Sequence, residues 1–527
     1  MGDGIMEKRR AGCCGCHLGG EHGHRHEHGL TRRAFFAAAG GGAAGLAMLA
    51  AARAAGAGGA VTSFEVRPPK PLRVLPVLSV TLYQRAEKRS WRPWGGLHTE
   101  EDVAAEVERI RGELAQLKTM AGVPVEFLDV AQFRPETNRD AILGMDADVL
   151  LIYGATGEVR PLITPDRWNI LFVRHKSGPV SLWYEIAHPR LLRRESDHCV
   201  IEGLTPEDVV VDDLNDVAWR LRALYGLRNT LGARVVCVGG PSGWNDGGKT
   251  ATRVCREQWK MDLPTVTYDE LGERIRKAFS DEAMTRQAVS DAAAWLDDPS
   301  VSLETDRGYV ERAFLLARVF ERLMLEHECA AITVNECMGT IMPIADTTAC
   351  LTLSVLNDAG AMAFCESDFV VIPSGILLRH IAGLPVFLND PTYPHHGQIT
   401  LAHCTAPRRL DGRTLAPARV VTHYESDFGA APKVEMALGQ VTTTLVPDFE
   451  NRVWHGFTGK VLDNPFLDIC RSQVDVSIDG DWKRLVTGMR GFHWMTVYGD
   501  WLKETGYALS KVGVRWRNLT SGATVEV

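Results

Sequence analysis

The chain is 527 residues long, 45% hydrophobic and 24% charged, with 50 glycines, 25 prolines and 12 cysteines. That composition excludes a disordered chain, a collagen-like repeat and a dense disulfide scaffold, and at about 100–200 residues per domain the length predicts two to four domains. A formal net charge of −8 argues against a general nucleic-acid binder.

Residues 1–57 read as a leader. Arg32-Arg33 precede the small apolar run AAAGGGAAGLAMLAAA, and Ala52-Arg53-Ala54 and Ala55-Gly56-Ala57 both offer a small-x-small cleavage site. This is the pattern of a twin-arginine export signal, which makes the translocase a partner and the mature chain exported, periplasmic or extracellular. A spanning helix needs about 20 strongly apolar residues, and this run is too short and too rich in glycine. Cys13, Cys14, Cys16 and His17, followed by His22, His24, His26 and His28, have metal-ligand chemistry, but their place upstream of the arginines favours a flexible polar leader. Residues 1–54 carry 7 Lys+Arg and 4 Asp+Glu, so the remainder has a net charge of −11 and keeps nine cysteines. Nine is odd and no CxxC pair occurs, so no disulfide framework is expected.

From residue 66 to 190 short β-rich runs alternate with helical patterns. Val74–Leu82 opens as a strand, and Thr99 and Asp102 form a capping box for a helix that lines up Val103, Val107, Ile110, Leu114 and Leu117. Strands Val125–Leu128, Val149–Tyr153 and Ile170–Val173 follow. A second unit, 191–365, has a helix through Val217, Leu221 and Leu224, strand Arg234–Val238, and helical stretches Tyr268–Trp295 and Tyr309–Leu325. Strand Ala330–Val334, helix Cys350–Leu356 and strand Ala361–Cys365 complete it. The third unit, 366–527, is β-rich, with strands at Ile399–His403, Val420–Tyr424, Gln440–Leu445 and Val474–Ile478 and one helix near Trp501–Tyr507. The fold class is therefore α/β: two doubly wound parallel-sheet domains followed by a β-rich C-terminal domain.

Gly243 to Thr250 satisfies the phosphate-loop expression GxxxxGK[ST] after a strand. A working phosphate loop wraps the phosphate directly after its strand, whereas Gly239-Gly240-Pro241-Ser242 intervene here and Asp246 adds a negative charge. The segment reads instead as a Gly-rich sheet-edge loop that meets substrate or a neighbouring domain.

The strongest constellation lies at 330–404. One strand ends at Glu336, the next at Glu366-Ser367-Asp368, and the strand PVFL at Asn389-Asp390. Ligands bind beyond the carboxyl ends of strands in open α/β sheets, and converging carboxylates with a histidine suit Mn²⁺ or Mg²⁺. Taken alone, Asp390 reads as a solvated turn. Candidate histidines are His403, His493 and the loop pair His395-His396; a lone histidine is more often structural, so composition does not choose among them.

The runs CLTLSVLNDAGAMAFCESD, GLPVFLNDPTYPHHGQITLAHC, GQVTTTLVP and GFHWMTVYGD, within residues 330–510, resemble the L-fucose isomerase family and its L-arabinose isomerase relatives. The resemblance implies three domains, an active site between the second and the C-terminal one, and a homo-oligomer, trimer or hexamer. It also implies a divalent metal, usually Mn²⁺, held by Glu336, Asp368 and His493, with Glu366 as the alternative glutamate. The same resemblance puts His403 in the pocket, and Glu366, Asn389 and Trp494 join it as expected sugar contacts. The export leader departs from the family, whose usual members are cytoplasmic. The implied reaction is aldose–ketose isomerisation of a pentose or 6-deoxyhexose through a cis-enediol, with Glu336 and Asp368 as base and acid. Two alternatives stand beside it: an exported non-catalytic sugar-binding protein using aromatics such as Trp494 and Tyr498, and another metal-dependent carbohydrate-active enzyme.

Overall fold

The computed structural model describes residues 63–92, 96–134, 138–179, 201–244, 247–450 and 452–525. The leader, with its paired arginines and Cys/His run, lies outside the described residues.

Strands β1 (Leu72–Ser79), β2 (Val125–Phe127), β3 (Ala131–Phe133), β4 (Val149–Gly154), β5 (Trp168–Val173) and β6 (Val209–Val211) make a parallel sheet. Its order is β2-β1-β4-β5-β6, with β3 also on β1. All but one residue of β1 are buried, as a parallel strand covered on both faces requires. Helix α1 (Glu100–Met120) covers one face; Thr99 Oγ1 accepts from the Asp102 N–H at 3.1 Å while the Thr99 N–H donates to Asp102 Oδ2 at 2.9 Å. All five apolar positions expected on its inner face are buried.

Helix α2 (Leu214–Thr230) leads into a second parallel sheet made of β7 (Val235–Val238), β8 (Thr265–Val266), β10 (Ala331–Val334) and β11 (Met362–Cys365), in the order β11-β10-β7-β8. Strand β9 (Val301–Leu303) lies outside it, pairing in a small sheet with β14 (Ala418–Val421), which in turn pairs β15 (Ala431–Val434). The single helical stretch expected from Tyr268 to Trp295 is two helices, Tyr268–Ser280 and Glu282–Leu296. Asp281 separates them: its extended backbone stops the first, and its carboxylate caps the second by accepting from the Met284 N–H at 3.0 Å. Helix α3 (Cys337–Ala345) and helix α4 (Ala349–Asp358) follow β10, and helix α5 (Ile372–Ala382) follows β11.

The C-terminal region closes on itself. Strands β12 (Phe387–Pro391), β13 (Gln398–His403), β16 (Val441–Val446), β17 (Val453–Asp463), β18 (Ser472–Ser477) and β19 (Trp494–Tyr498) form an antiparallel ring, β16-β19-β12-β13-β18-β17, closed by β16 pairing β17. The expectation that PVFL continues the parallel sheet is thereby corrected, because this run is barrel strand β12. A strand covered on both faces reads as a continuous apolar run in either setting, so its pattern cannot name its partners. Phe387 joins the barrel interior, whereas Leu388 packs in the α-layer core with Ile376 of α5. Gly375 lets α5 sit close between sheet and barrel, since a Cβ there would lie 2.8 Å from both Phe364 and Met495 side-chain atoms.

His455 on β17 is buried, and neither ring nitrogen has a hydrogen-bond partner among the described residues. Burial, with Arg490 and Arg517 nearby, pushes its pKa from 6.5 down to about 4. Between those values the unfolded chain takes up a proton that the folded chain refuses, so stability falls as pH falls. Chemical denaturation at pH 7 and pH 4.5 should show the native chain losing about 2–3 kcal/mol more than His455→Phe. Equal losses would remove His455 from the account of acid sensitivity.

Candidate metal and active site

Period-2 alternation and strand register assemble half of the site. Asn389 of β12 pairs Trp494 of β19, and Asp390 pairs Ala402 of β13. Asp390 therefore stands beside His493, the residue before β19, and one step from His403 at the end of β13. Ligating atoms of Asp390, His403 and His493 all lie within 4.8 Å of one another. His493 Nε2 is 3.2 Å from Asp390 Oδ1 and 3.4 Å from Glu366 Oε2. His403 Nε2 is 3.9 Å from Glu366 Oε1.

The second parallel sheet supplies the other half from its carboxyl edge. Glu366 and Ser367 follow β11 with φ of 62° and 46°, a left-handed pair that non-glycine residues rarely adopt in succession. The turn is held by the Ser367 N–H donating to Thr333 Oγ1 at 3.1 Å, and by the Ser242 N–H donating to the Ser367 carbonyl at 3.2 Å. It delivers Glu366 to the cluster and buries Asp368 completely. Asp368 Oδ2 then accepts from His493 Nδ1 at 2.8 Å, and its Oδ1 accepts from the Val370 N–H at 3.0 Å.

Both histidines are oriented through Nδ1, His493 by Asp368 and His403 by Thr405 Oγ1 at 3.0 Å. That arrangement leaves both Nε2 atoms for a ligand, the usual way protein ligands of metals are held. His403 Nε2 is buried without a hydrogen-bond partner, while His493 Nε2 and Asp390 Oδ1 face each other at 3.2 Å. A buried imidazole nitrogen is costly to leave bare, which is the mark of a site made for something else.

The charges are uneven. Burial pushes the Glu366 carboxyl up, but His493, His403 and the Trp244 indole outweigh it and hold the pKa at about 2. Burial raises Asp390 to about 7, with the Glu366 charge adding to the rise and His493 opposing it. Burial lowers His403 to about 4 despite Glu366, whereas at His493 the pull of Asp368, Glu366 and Asp390 overcomes burial and raises it to about 10. Without a cation, a proton on His493 is what balances the surrounding carboxylates.

An aromatic pair stands at the same place. Trp244 donates its indole N–H to Glu366 Oε2 at 2.7 Å and stacks on Phe492 with ring centroids 3.9 Å apart. Both rings are partly open to solvent, 39% and 41% exposed, so one apolar face is available beside the carboxylates. The Gly-rich segment discounted as a phosphate loop thus meets the site through Ser242 and Trp244.

Among the residues expected from sequence, Glu366, Asp368, His403 and His493 come together. Glu336 does not: it is exposed at the start of α3 with a left-handed φ of 48°, and belongs to no group of ligating side chains among the described residues. Glu366 occupies the place given to Glu336, because the turn after β11, and not that after β10, faces the barrel rim. Asp368 lies behind His493 as its hydrogen-bond partner, and it is Asp390 that shares a group of potential ligating atoms with His403 and His493. Asn389 turns the other way along β12, donating to Thr496 Oγ1 at 3.1 Å and to the Phe387 carbonyl at 2.9 Å. Trp494 and Tyr498 are buried in the barrel core instead of lining a pocket, and Trp494 donates to the Arg490 carbonyl at 2.8 Å. Trp244 and Phe492 were missed, and Asp390, named among the strand-end acids, was set aside as a solvated turn. The available signals were the alternation along Asn389-Asp390, and a tryptophan in a Gly-rich loop where packing does not call for one.

The described residues thus include side-chain groups able to hold a metal ion. No family model and no curated protein matches the chain.

Proposed function

We propose that the protein is a metal-dependent aldose–ketose isomerase acting on a pentose or 6-deoxyhexose. The observation that carries this reading is the buried convergence of two imidazole Nε2 atoms and two carboxylates beside a stacked aromatic pair. The donor set fits a divalent cation: Glu366, Asp390, His403 and His493 would hold it, and its carboxylate oxygens suit Mn²⁺. When bound, such a cation supplies Lewis-acid polarisation of the sugar carbonyl and stabilises the negative charge that develops on the adjoining oxygens.

The protein's own groups divide the proton work. Glu366 is held as a carboxylate, and its Oε1, the oxygen not engaged by Trp244, is the base that takes the C2 proton and returns it at C1. Asp390, the second carboxylate of the cluster with Oδ1 3.2 Å from His493 Nε2, passes the proton between O1 and O2. Asp368 keeps the His493 ring in place, and the Trp244–Phe492 pair offers a face for the C–H side of a sugar.

Incubating manganese-loaded protein with a panel of aldoses and ketoses tests the reading. Interconversion at conserved mass, lost on chelation and restored by Mn²⁺, is the expected result. Sugar binding that is indifferent to chelator, without product, would favour the non-catalytic binding protein. A product of altered mass would point to another carbohydrate-active enzyme.

A further inference from the structure

A second group of donors lies next to the first and has different chemistry. Cys350 is in the first turn of α4, Cys404 follows β13 directly, and His423 follows β14. These three are separated by 54 and 19 positions in the chain, yet all are buried and their ligating atoms lie within 4.8 Å of one another. Cys470, just before β18, packs against the same spot and hydrogen-bonds the Cys404 thiol. Two sulfurs and one imidazole thus converge from the second α/β layer, the barrel and the small sheet, with a third sulfur beside Cys404.

The surroundings are those of coordinating groups. The Arg471 backbone N–H donates to Cys404 Sγ at 3.4 Å. His423 Nδ1 hydrogen-bonds Ser426 Oγ at 3.3 Å, which orients the ring. Outer partners of this kind accompany protein ligands of metals. The three cysteines and the histidine come from separate segments, so no CxxC spacing could reveal them in the sequence. None of the eight cysteines in the described residues is in a disulfide.

We propose that Cys350, Cys404 and His423, with Cys470 as the fourth donor, form a structural zinc site that ties α4, the barrel and the small sheet together. A Cys₃His set is closed and soft, so it selects Zn²⁺, whereas the carboxylate and imidazole set beside it keeps a harder ion. Cys404 follows His403 in the chain, so zinc on the one side fixes the histidine on the other. The proposal stands independently of the isomerase reading, because it needs no sugar and no turnover.

The test uses the full chain expressed with zinc and manganese and then dialysed. Elemental analysis should find about one tightly held zinc per chain. Cys404→Ser and His423→Gln should each lower that zinc about tenfold or more. Glu366→Gln should leave it unchanged while the manganese is lost. Because the cysteine variants could fail to fold, Co²⁺ is also exchanged into the unaltered protein. A thiolate-to-cobalt charge-transfer band with strong tetrahedral d–d absorption is the expected signature. Absence of that band, zinc that follows Glu366 instead of Cys404, or isolation of these thiols as a disulfide would each overturn the proposal.

Discussion

Asp390→Asn should remove the metal and the isomerase activity together, with kcat/KM falling by on the order of 10³ or more. The substitution keeps size and shape but deletes a carboxylate whose Oδ1 is buried and 3.2 Å from His493 Nε2. Asp368→Asn should behave differently. Its carboxylate holds His493 from behind through Nδ1 at 2.8 Å, so the ring loses a charged partner while the ligand set stays complete. Losses of outer partners of this kind cost about 10–100-fold in metal affinity. Calorimetric titration with Mn²⁺, alongside kcat and KM for whichever sugar is turned over, separates the two variants. Equal loss of metal in both would mean that Asp368 is a ligand after all, as the sequence alone led one to expect. Glu336→Gln is the control: an exposed residue outside the cluster should leave metal affinity unchanged.

Trp494→Ala should cost about 3–5 kcal/mol of stability, the range for deleting a buried large aromatic side chain. Trp494 is fully buried in the barrel core, its ring edge-on to Phe457 at 6.2 Å. Removing it leaves a cavity and frees the Arg490 carbonyl that accepts from its indole. Denaturant unfolding at pH 7 reads the loss. Trp494→Phe, which keeps most of the volume, should leave the KM for sugar unchanged, whereas Trp244→Phe should raise it. A Trp494→Phe variant that folds normally but loses sugar affinity would put Trp494 back in the pocket.

The contrast between Trp494 and Phe492 shows what a sequence can and cannot carry. The motif GFHWMTVYGD displays a histidine among aromatics, and the strand that follows it is plain from its composition. Which aromatic faces the site depends on one step of strand phase. Trp494 and Tyr498 share the face that closes over the barrel interior, whereas Met495 and Val497 pack in the core that also contains α5, and Phe492 lies before the strand begins. Chain chemistry sets the alternation, but only the closed ring says which face is inside.

Local signals were sufficient wherever a structural decision is made within a turn or two. The Thr99–Asp102 box, the α1 face from Val103 to Leu117 and the buried run of β1 are all legible because short-range hydrogen bonds and periodicity determine them. The α/β character of the first two units and the β-rich third follow from the same local preferences. So does the turn of acids at Glu366-Ser367-Asp368, whose residue types announce chemistry before their geometry is known.

Tertiary structure decided the rest, because the remaining choices are about partners distant in the chain. Glu336 and Glu366 follow neighbouring strands, both with left-handed φ (48° and 62°), and only packing of the barrel against the sheet selects the second. Asp390 joined the cluster when β12 paired with β19 in a register that puts it beside His493, about a hundred positions away. The thiols at Cys350, Cys404 and Cys470 carry no spacing signal, since their convergence depends on α4 and two barrel strands folding together. The cysteine count with which a sequence reading begins shows no pattern for that reason: the grouping exists only in space, where long-range closure brings the donors together.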